Sequence, residues 1–165
     1  MSKRILIASD HAGFALKEHL EQTLARLGYE VQDLGTDGPD SMDYADVAHP
    51  LAERVSRGEE ERGVLLCGTG LGMSYTANRY PHVRAAVAWN AEIAKLAREH
   101  NDANVLVLPA RFVTEAQATE ILDTWLATPF EGGRHARRIQ KVELDDSEQS
   151  HHAVDSGAVN SKANS

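Results

Sequence analysis

The chain has a single cysteine, Cys67, among 165 residues, and only 5% of its side chains are aromatic. One thiol cannot close an internal disulfide, which excludes a disulfide-stapled secreted scaffold and suits a reducing compartment. No segment approaches the apolar length that spans a bilayer, and the short apolar run of the opening MSKRILIASD falls short of a signal peptide's core. The expected location is therefore the cytoplasm. Positive charge is scarce as well: 17 Lys and Arg stand against 25 Asp and Glu, a formal charge of -8. That balance gives no overall attraction to nucleic acid or to an anionic membrane and favours a small-molecule partner. Metal-ligand spacings such as Cys-x-x-Cys or His-Glu-x-x-His are missing, and so is the Gly-Lys-Ser/Thr ending of a Walker-type phosphate loop. No metal site is expected from these patterns.

What remains is enough apolar material, 42% of the chain, to fill one sizeable core. Five β-branched or aliphatic runs recur: RILIAS (4–9), YEVQDL (29–34), GVLLC (63–67), RAAVAW (84–89) and NVLVLP (104–109). Each reads as a buried strand. Apolar residues three or four apart lie between them: Leu16, Leu20, Leu24 and Leu27; Val47, Leu51 and Val55; Ile93 and Ala97. Another such stripe, Ala118, Ile121, Leu122 and Trp125, follows the last strand. This alternation predicts an α/β fold: a doubly wound, Rossmann-like, five-stranded parallel sheet with helices on both faces and right-handed crossovers. A last helix is expected in RHARRIQKVEL (134–144). One domain over 1–144 is followed by a polar tail, 145–165, expected to be flexible, whose His151 and His152 are read as solvated.

In such sheets ligands bind beyond the carboxyl ends of the strands. Cys67 closes the third run, and VLLCGTGLGMSYTANR places Gly68, Gly70 and Gly72 directly after it. Gly68 to Ser74 is predicted as a turn leading into a helix around 75–79. Its backbone N–H groups form an anion site beside the thiol and favour a thiolate there. A cysteine ending an apolar strand is also a common small core residue; the glycine loop argues for chemistry instead. The glycines miss the dinucleotide-binding spacing, and a cysteine phosphatase would need arginine where Met73 stands.

The first strand ends in SDHAGFALKEHL, where Asp10 and His11 suit sugar hydroxyls and a phosphate, although Asp10 also fits a simple helix cap. AREHNDANV puts His100 and Asn101 at a helix end, where the helix dipole alone would favour a histidine. Arg134 and Arg138 are four apart on one face of the last helix.

Taken together, SDHAGFALK, DYAD, LLCGTGLGMSYTANR, REHNDANVLVL and EGGRHARRI resemble, in order and spacing, the type B ribose-5-phosphate isomerases, grouped with the galactose-6-phosphate isomerases of lactose breakdown. The similarity covers roughly 3–142. It implies aldose–ketose isomerisation of a sugar phosphate through a cis-enediolate, without metal or organic cofactor. By this resemblance Cys67 is the base that moves a proton between carbons 1 and 2. Backbone donors of Gly68, Gly70, Leu71 and Gly72, the Thr69 hydroxyl and Ser74 surround the enediolate. His100 opens the furanose ring. Asp10, His11, Asn101 and Tyr44 hold the sugar, and Arg111, Arg134 and Arg138 bind the phosphate. Some members carry a glutamate base in the glycine loop; here Met73 and Ser74 occupy the loop behind a cysteine, which supports the thiol version.

Ribose 5-phosphate is the substrate expected first, with hexose 6-phosphates and tetrose 4-phosphates as alternatives. A non-catalytic sugar-phosphate or nucleotide-binding module is the rival of a different class, and it would have no need of Cys67 as a base. Strand direction adds one expectation. The helix after the fourth strand starts at the carboxyl edge and carries His100 back toward the opposite edge, away from its own Cys67. If both act on one substrate, His100 comes from a second copy, in a homodimer with shared sites or a dimer of such dimers.

Overall fold

The computed structural model describes residues 3–144, so the tail predicted at 145–165 lies outside the described residues. Five strands, β1 (Lys3–Ser9), β2 (Tyr29–Asp33), β3 (Gly63–Cys67), β4 (Ala85–Val87) and β5 (Val105–Pro109), alternate with helices. These are α1 (Phe14–Arg26), α2 (Ala45–Ser56), α3 (Leu71–Ala77), α4 (Ala91–Asn101), α5 (Glu115–Ala127) and α6 (Arg134–Gln140). All neighbouring strands pair in parallel, in the order β2-β1-β3-β5-β4. The predicted doubly wound α/β fold is what the chain adopts.

Handedness explains which helix covers which face. The connections β1 to β2 and β4 to β5 step one way across the sheet, whereas β2 to β3 and β3 to β4 step the other. Right-handed crossovers send steps of opposite sense to opposite faces. Accordingly, Ile5, Ile7, Val64, Leu66, Leu106 and Leu108 pack under α1, α4 and α5. Leu6, Ala8, Leu65, Cys67, Val105 and Val107 pack under α2 and α3. Burial from both sides is why β3, β5 and the Ile5–Ala8 stretch of β1 are unbroken apolar runs.

Beyond one-residue shifts at the ends of β1, β2 and β5, four element boundaries differ from expectation. Gly70 takes φ +77°, a conformation that L side chains rarely adopt, and turns the chain sharply enough for α3 to begin at Leu71 rather than near 75. On the sheet edge β4 keeps only Ala85–Val87, because Trp89 turns outward (55% exposed) and Asn90 caps α4 by accepting from the Ile93 N–H at 2.9 Å. Leu27 lies beyond the end of α1 and is exposed. The last helix stops at Gln140, and the chain then folds back so that Glu143 accepts from the His82 N–H at 3.0 and 3.1 Å. Among the described residues, no helix is long and apolar enough to cross a membrane.

Candidate active site

At the carboxyl edge of the sheet, Cys67 ends β3 with its side chain 4% exposed between the strands and α3. Burial is what a core cysteine would show, yet the sulfur is not a plain apolar filler. The N–H of Gly70 donates to Sγ at 3.1 Å, a backbone dipole that supports negative charge on sulfur. The Thr69 hydroxyl accepts from the Leu71 N–H at 3.3 Å, and Thr69 is exposed. Ser74 donates its hydroxyl to Leu71 O at 2.8 Å, so that proton serves the helix.

Two glycines of the loop let other side chains approach. A Cβ at Gly72 would lie 2.6 and 2.7 Å from ring carbons of Tyr44, so the phenol rests on bare backbone. A Cβ at Gly68 would lie 3.1 Å from a terminal nitrogen of Arg111, whose guanidinium therefore covers the start of the loop. The Arg111 N–H also donates to Gly68 O at 3.1 Å.

The end of β1 comes to the same edge, since the Asp10 N–H donates to Leu66 O at 3.1 Å. Asp10 is 6% exposed and its Oδ1 accepts from the Gly13 N–H at 3.1 Å, so the cap expected of it is formed. His11 accepts the Met42 N–H on Nδ1 at 3.2 Å. Its neutral tautomer therefore carries the proton on Nε2, which makes that nitrogen a donor. Met42 belongs to the loop after β2, which is anchored by a fully buried lysine. Lys17 Nζ lies 2.6 Å from both carboxylate oxygens of Asp33 and 2.7 Å from Thr36 O.

The second group of residues lies at the other edge. Helix α4 has 11 residues; at ~1.5 Å each, it runs back about 16 Å across the sheet. It ends beside the start of β3, where the Gly63 N–H donates to Asn104 O at 3.0 Å. His100 and Asn101 are in its last turn. There α6 packs against it: His100 and His135 stack with ring centroids 4.3 Å apart and planes 13° from parallel. Arg134 and Arg138, both exposed, project from α6. Burial is the main cause that lowers the His135 pKa, and the charge of Arg134 pushes the same way.

Asp10, His11, Tyr44, Cys67, Gly68, Thr69, Gly70, Leu71, Gly72, Ser74 and Arg111 therefore gather at one edge. His100, Asn101, Arg134 and Arg138 gather at the other, so Arg111 stands apart from the remaining two arginines within a chain. Among the described residues, none of these three guanidinium groups has a hydrogen-bond or ion-pair partner, which leaves them available to an anion.

Residues 5–142 match the family model described as Ribose/Galactose Isomerase. The chain belongs to that family. Ribose-5-phosphate isomerase B of Escherichia coli is 41% identical over 140 residues, which cover 85% of this chain and 94% of that protein. A solved ribose 5-phosphate isomerase of Thermotoga maritima is 50% identical, with a TM-score of 0.83 over 86% of this chain and 98% of that one. The Mycoplasma genitalium ribose-5-phosphate isomerase B, solved with bound ribulose-5-phosphate, has the same TM-score at 43% identity, covering 86% and 95%.

For this member of the ribose/galactose isomerase family, sequence reasoning missed Lys17, Met42, Glu131 and His135. Glu131 lies before the start of α6 and meets His135 only through the turn at Gly132 and Gly133, which no helical spacing marks. Lys17 and Met42 work through partners in other elements, which no local pattern marks.

Proposed function

We propose that the protein interconverts an aldose phosphate and a ketose phosphate, first of all ribose 5-phosphate and ribulose 5-phosphate. The observation that carries this reading is the Gly70 N–H held at 3.1 Å from Cys67 Sγ, in the glycine loop that follows β3 at the carboxyl edge of the sheet. Family membership and the ribulose-5-phosphate bound to the Mycoplasma genitalium relative support it.

In this mechanism His100 protonates the ring oxygen as the bond from that oxygen to carbon 1 breaks, and the anomeric hydroxyl gives up its proton to water, from which His100 is reprotonated. The open aldose has an acidic proton on carbon 2, next to the carbonyl. Cys67, as thiolate, removes it; the electrons move to the carbonyl oxygen, and a cis-enediolate forms. Amides of the loop and the Thr69 hydroxyl stabilise the developing oxyanion, the arrangement in which fixed dipoles contribute most. Cys67 then returns the proton to carbon 1, and a proton moves from oxygen 2 to oxygen 1 to complete the ketose. Asp10, His11, Tyr44 and Asn101 hold the hydroxyls, while Arg111, Arg134 and Arg138 hold the phosphate.

The separation of the two clusters supports a homodimer in which each substrate meets Cys67 of one chain and His100, Asn101, Arg134 and Arg138 of the other. A free thiol suits work in the cytoplasm. The test is a panel of pentose, hexose and tetrose phosphates assayed for interconversion with purified protein. Ribose 5-phosphate is expected to have the highest kcat/KM. Absence of turnover on every member would replace the enzyme reading with a non-catalytic binding module.

A further inference from the structure

We propose that His100, Glu131 and His135 form a binding site for a zinc-class divalent cation. One donor atom from each of the three lies within 4.8 Å of the others. His135 is only 5% exposed, and its Nε2 is buried without a hydrogen-bond partner. A carboxylate oxygen of Glu131 lies 3.4 Å from that nitrogen without forming a hydrogen bond. With its proton on Nδ1, His135 turns an electron-pair donor toward the carboxylate oxygen.

The spacing fits a metal. With bonds of about 2.1 Å and a tetrahedral angle, two ligand atoms lie roughly 3.4 Å apart. The Glu131–His135 pair already has that separation, which provides a preformed half-site. His100, half-buried and stacked on His135, completes it by turning its ring until a nitrogen converges on the ion. Two imidazoles and one carboxylate suit zinc among common cations, with water in the fourth position. Arg134 and Arg138 repel a cation here, which sets the site up for reversible occupancy rather than a permanent structural ion.

One consequence rests on the proposed role of His100 in ring opening. A metal-bound imidazole has lost the lone pair it needs for proton transfer, so zinc inhibits an enzyme whose turnover requires no metal. Full-length protein stripped with a chelator is expected to retain full activity. Zinc chloride is then titrated in competition with a chromophoric zinc chelator. One zinc per chain is expected, with an affinity about 100-fold weaker or more in Glu131→Gln and in His135→Gln, since each loses a ligand. Glu131 is exposed, so its variant tests the site without disturbing the core. Cys67→Ser and the double variant His151→Ala/His152→Ala are expected to bind zinc like the parent. The site is refuted if the parent fails to compete for zinc, if binding survives both ligand variants, or if it disappears in Cys67→Ser or the tail variant. Inhibition is read separately with ribose 5-phosphate. Zinc bound with the expected pattern but without inhibition would uphold the site and remove His100 from ring opening.

Discussion

The Gly70 N–H points at the sulfur of Cys67 from 3.1 Å, and the same glycine makes the left-handed turn that starts α3. One residue thus both shapes the loop and polarises the thiol. Cys67→Ser keeps the hydrogen bond's geometry but substitutes a hydroxyl, a far weaker acid than a thiol. Isomerisation, and exchange of the carbon 2 proton with deuterated solvent, are expected to fall by about 10²–10⁴-fold, the usual contribution of a general base. Binding of inorganic phosphate should be unchanged. Parental exchange rates in this variant would return Cys67 to the role of a core residue.

Among the described residues, the Arg134 and Arg138 guanidinium groups, both exposed on α6, have no hydrogen-bond or ion-pair partner, and the proposed mechanism gives them the phosphate. Charged hydrogen bonds are worth about 1.5–3 kcal/mol, so Arg134→Ala and Arg138→Ala should each weaken phosphorylated substrate by roughly tenfold or more. The loss is expected mainly in KM, and much less for the dephosphorylated sugar. Equal losses on both would indicate damage to the fold instead.

Burial made much of this architecture legible. Strands β3 and β5 and the Ile5–Ala8 stretch of β1 are covered on both faces, so each is an unbroken apolar run, and α2 and α5 show their buried stripes at helical spacing. Strand order was hidden, because the placement of β5 between β3 and β4 depends on pairing and leaves no mark on periodicity. Of the carboxyl-edge residues, Cys67, the loop from Gly68 to Ser74, Asp10 and His11 were marked by local patterns, a glycine loop and an Asp-His pair, whereas Tyr44 and Arg111 came from the family resemblance alone. Lys17 was missed, since it follows Leu16 on the buried side of α1 and a charge there depends on Asp33 and Thr36 from another element.

Lys17 ties α1 to the loop that carries Met42 and so to the ring of His11. Lys17→Met would leave Asp33 and Thr36 O without their ammonium. Breaking a buried pair costs up to about 3–5 kcal/mol, and the partial exposure of Asp33 reduces this to roughly 2–4 kcal/mol. Urea unfolding at neutral pH measures it. A change below about 0.5 kcal/mol, the size of an ordinary surface effect, would show that the clamp contributes little.

The depressed pKa of His135 also predicts a pH dependence of stability. Below its ordinary value of 6.5 the unfolded chain takes up a proton that the folded chain does not. Excess protons on the unfolded state lower stability, so stability falls as pH drops from 6.5 toward the folded-state value. Arg134, His100 and Arg138 reinforce this trend, and Glu131 opposes it. His135→Gln should lose that part of the slope, giving a flatter curve of unfolding free energy between neutral and mildly acidic pH. Parallel curves for parent and variant would contradict the assignment.

The two-edged distribution of the site gives the most discriminating experiment. Cys67→Ala and His100→Ala are each expected to be inactive on a sugar that closes a furanose ring. His100→Ala should be assayed on such a substrate, because an open-chain sugar bypasses ring opening. When equal amounts are unfolded and refolded together, random pairing makes about half of the dimers mixed. If each site takes Cys67 from one chain and His100 from the other, a mixed dimer has one intact site and one that lacks both groups. About a quarter of the parental sites should then return, although neither parent contributes any. If each site were built within one chain, every site in a mixed dimer would still lack one group and no activity would return. Mixed dimers confirmed by mass but inactive beyond their parents would therefore disprove sharing and confine His100 to its own chain.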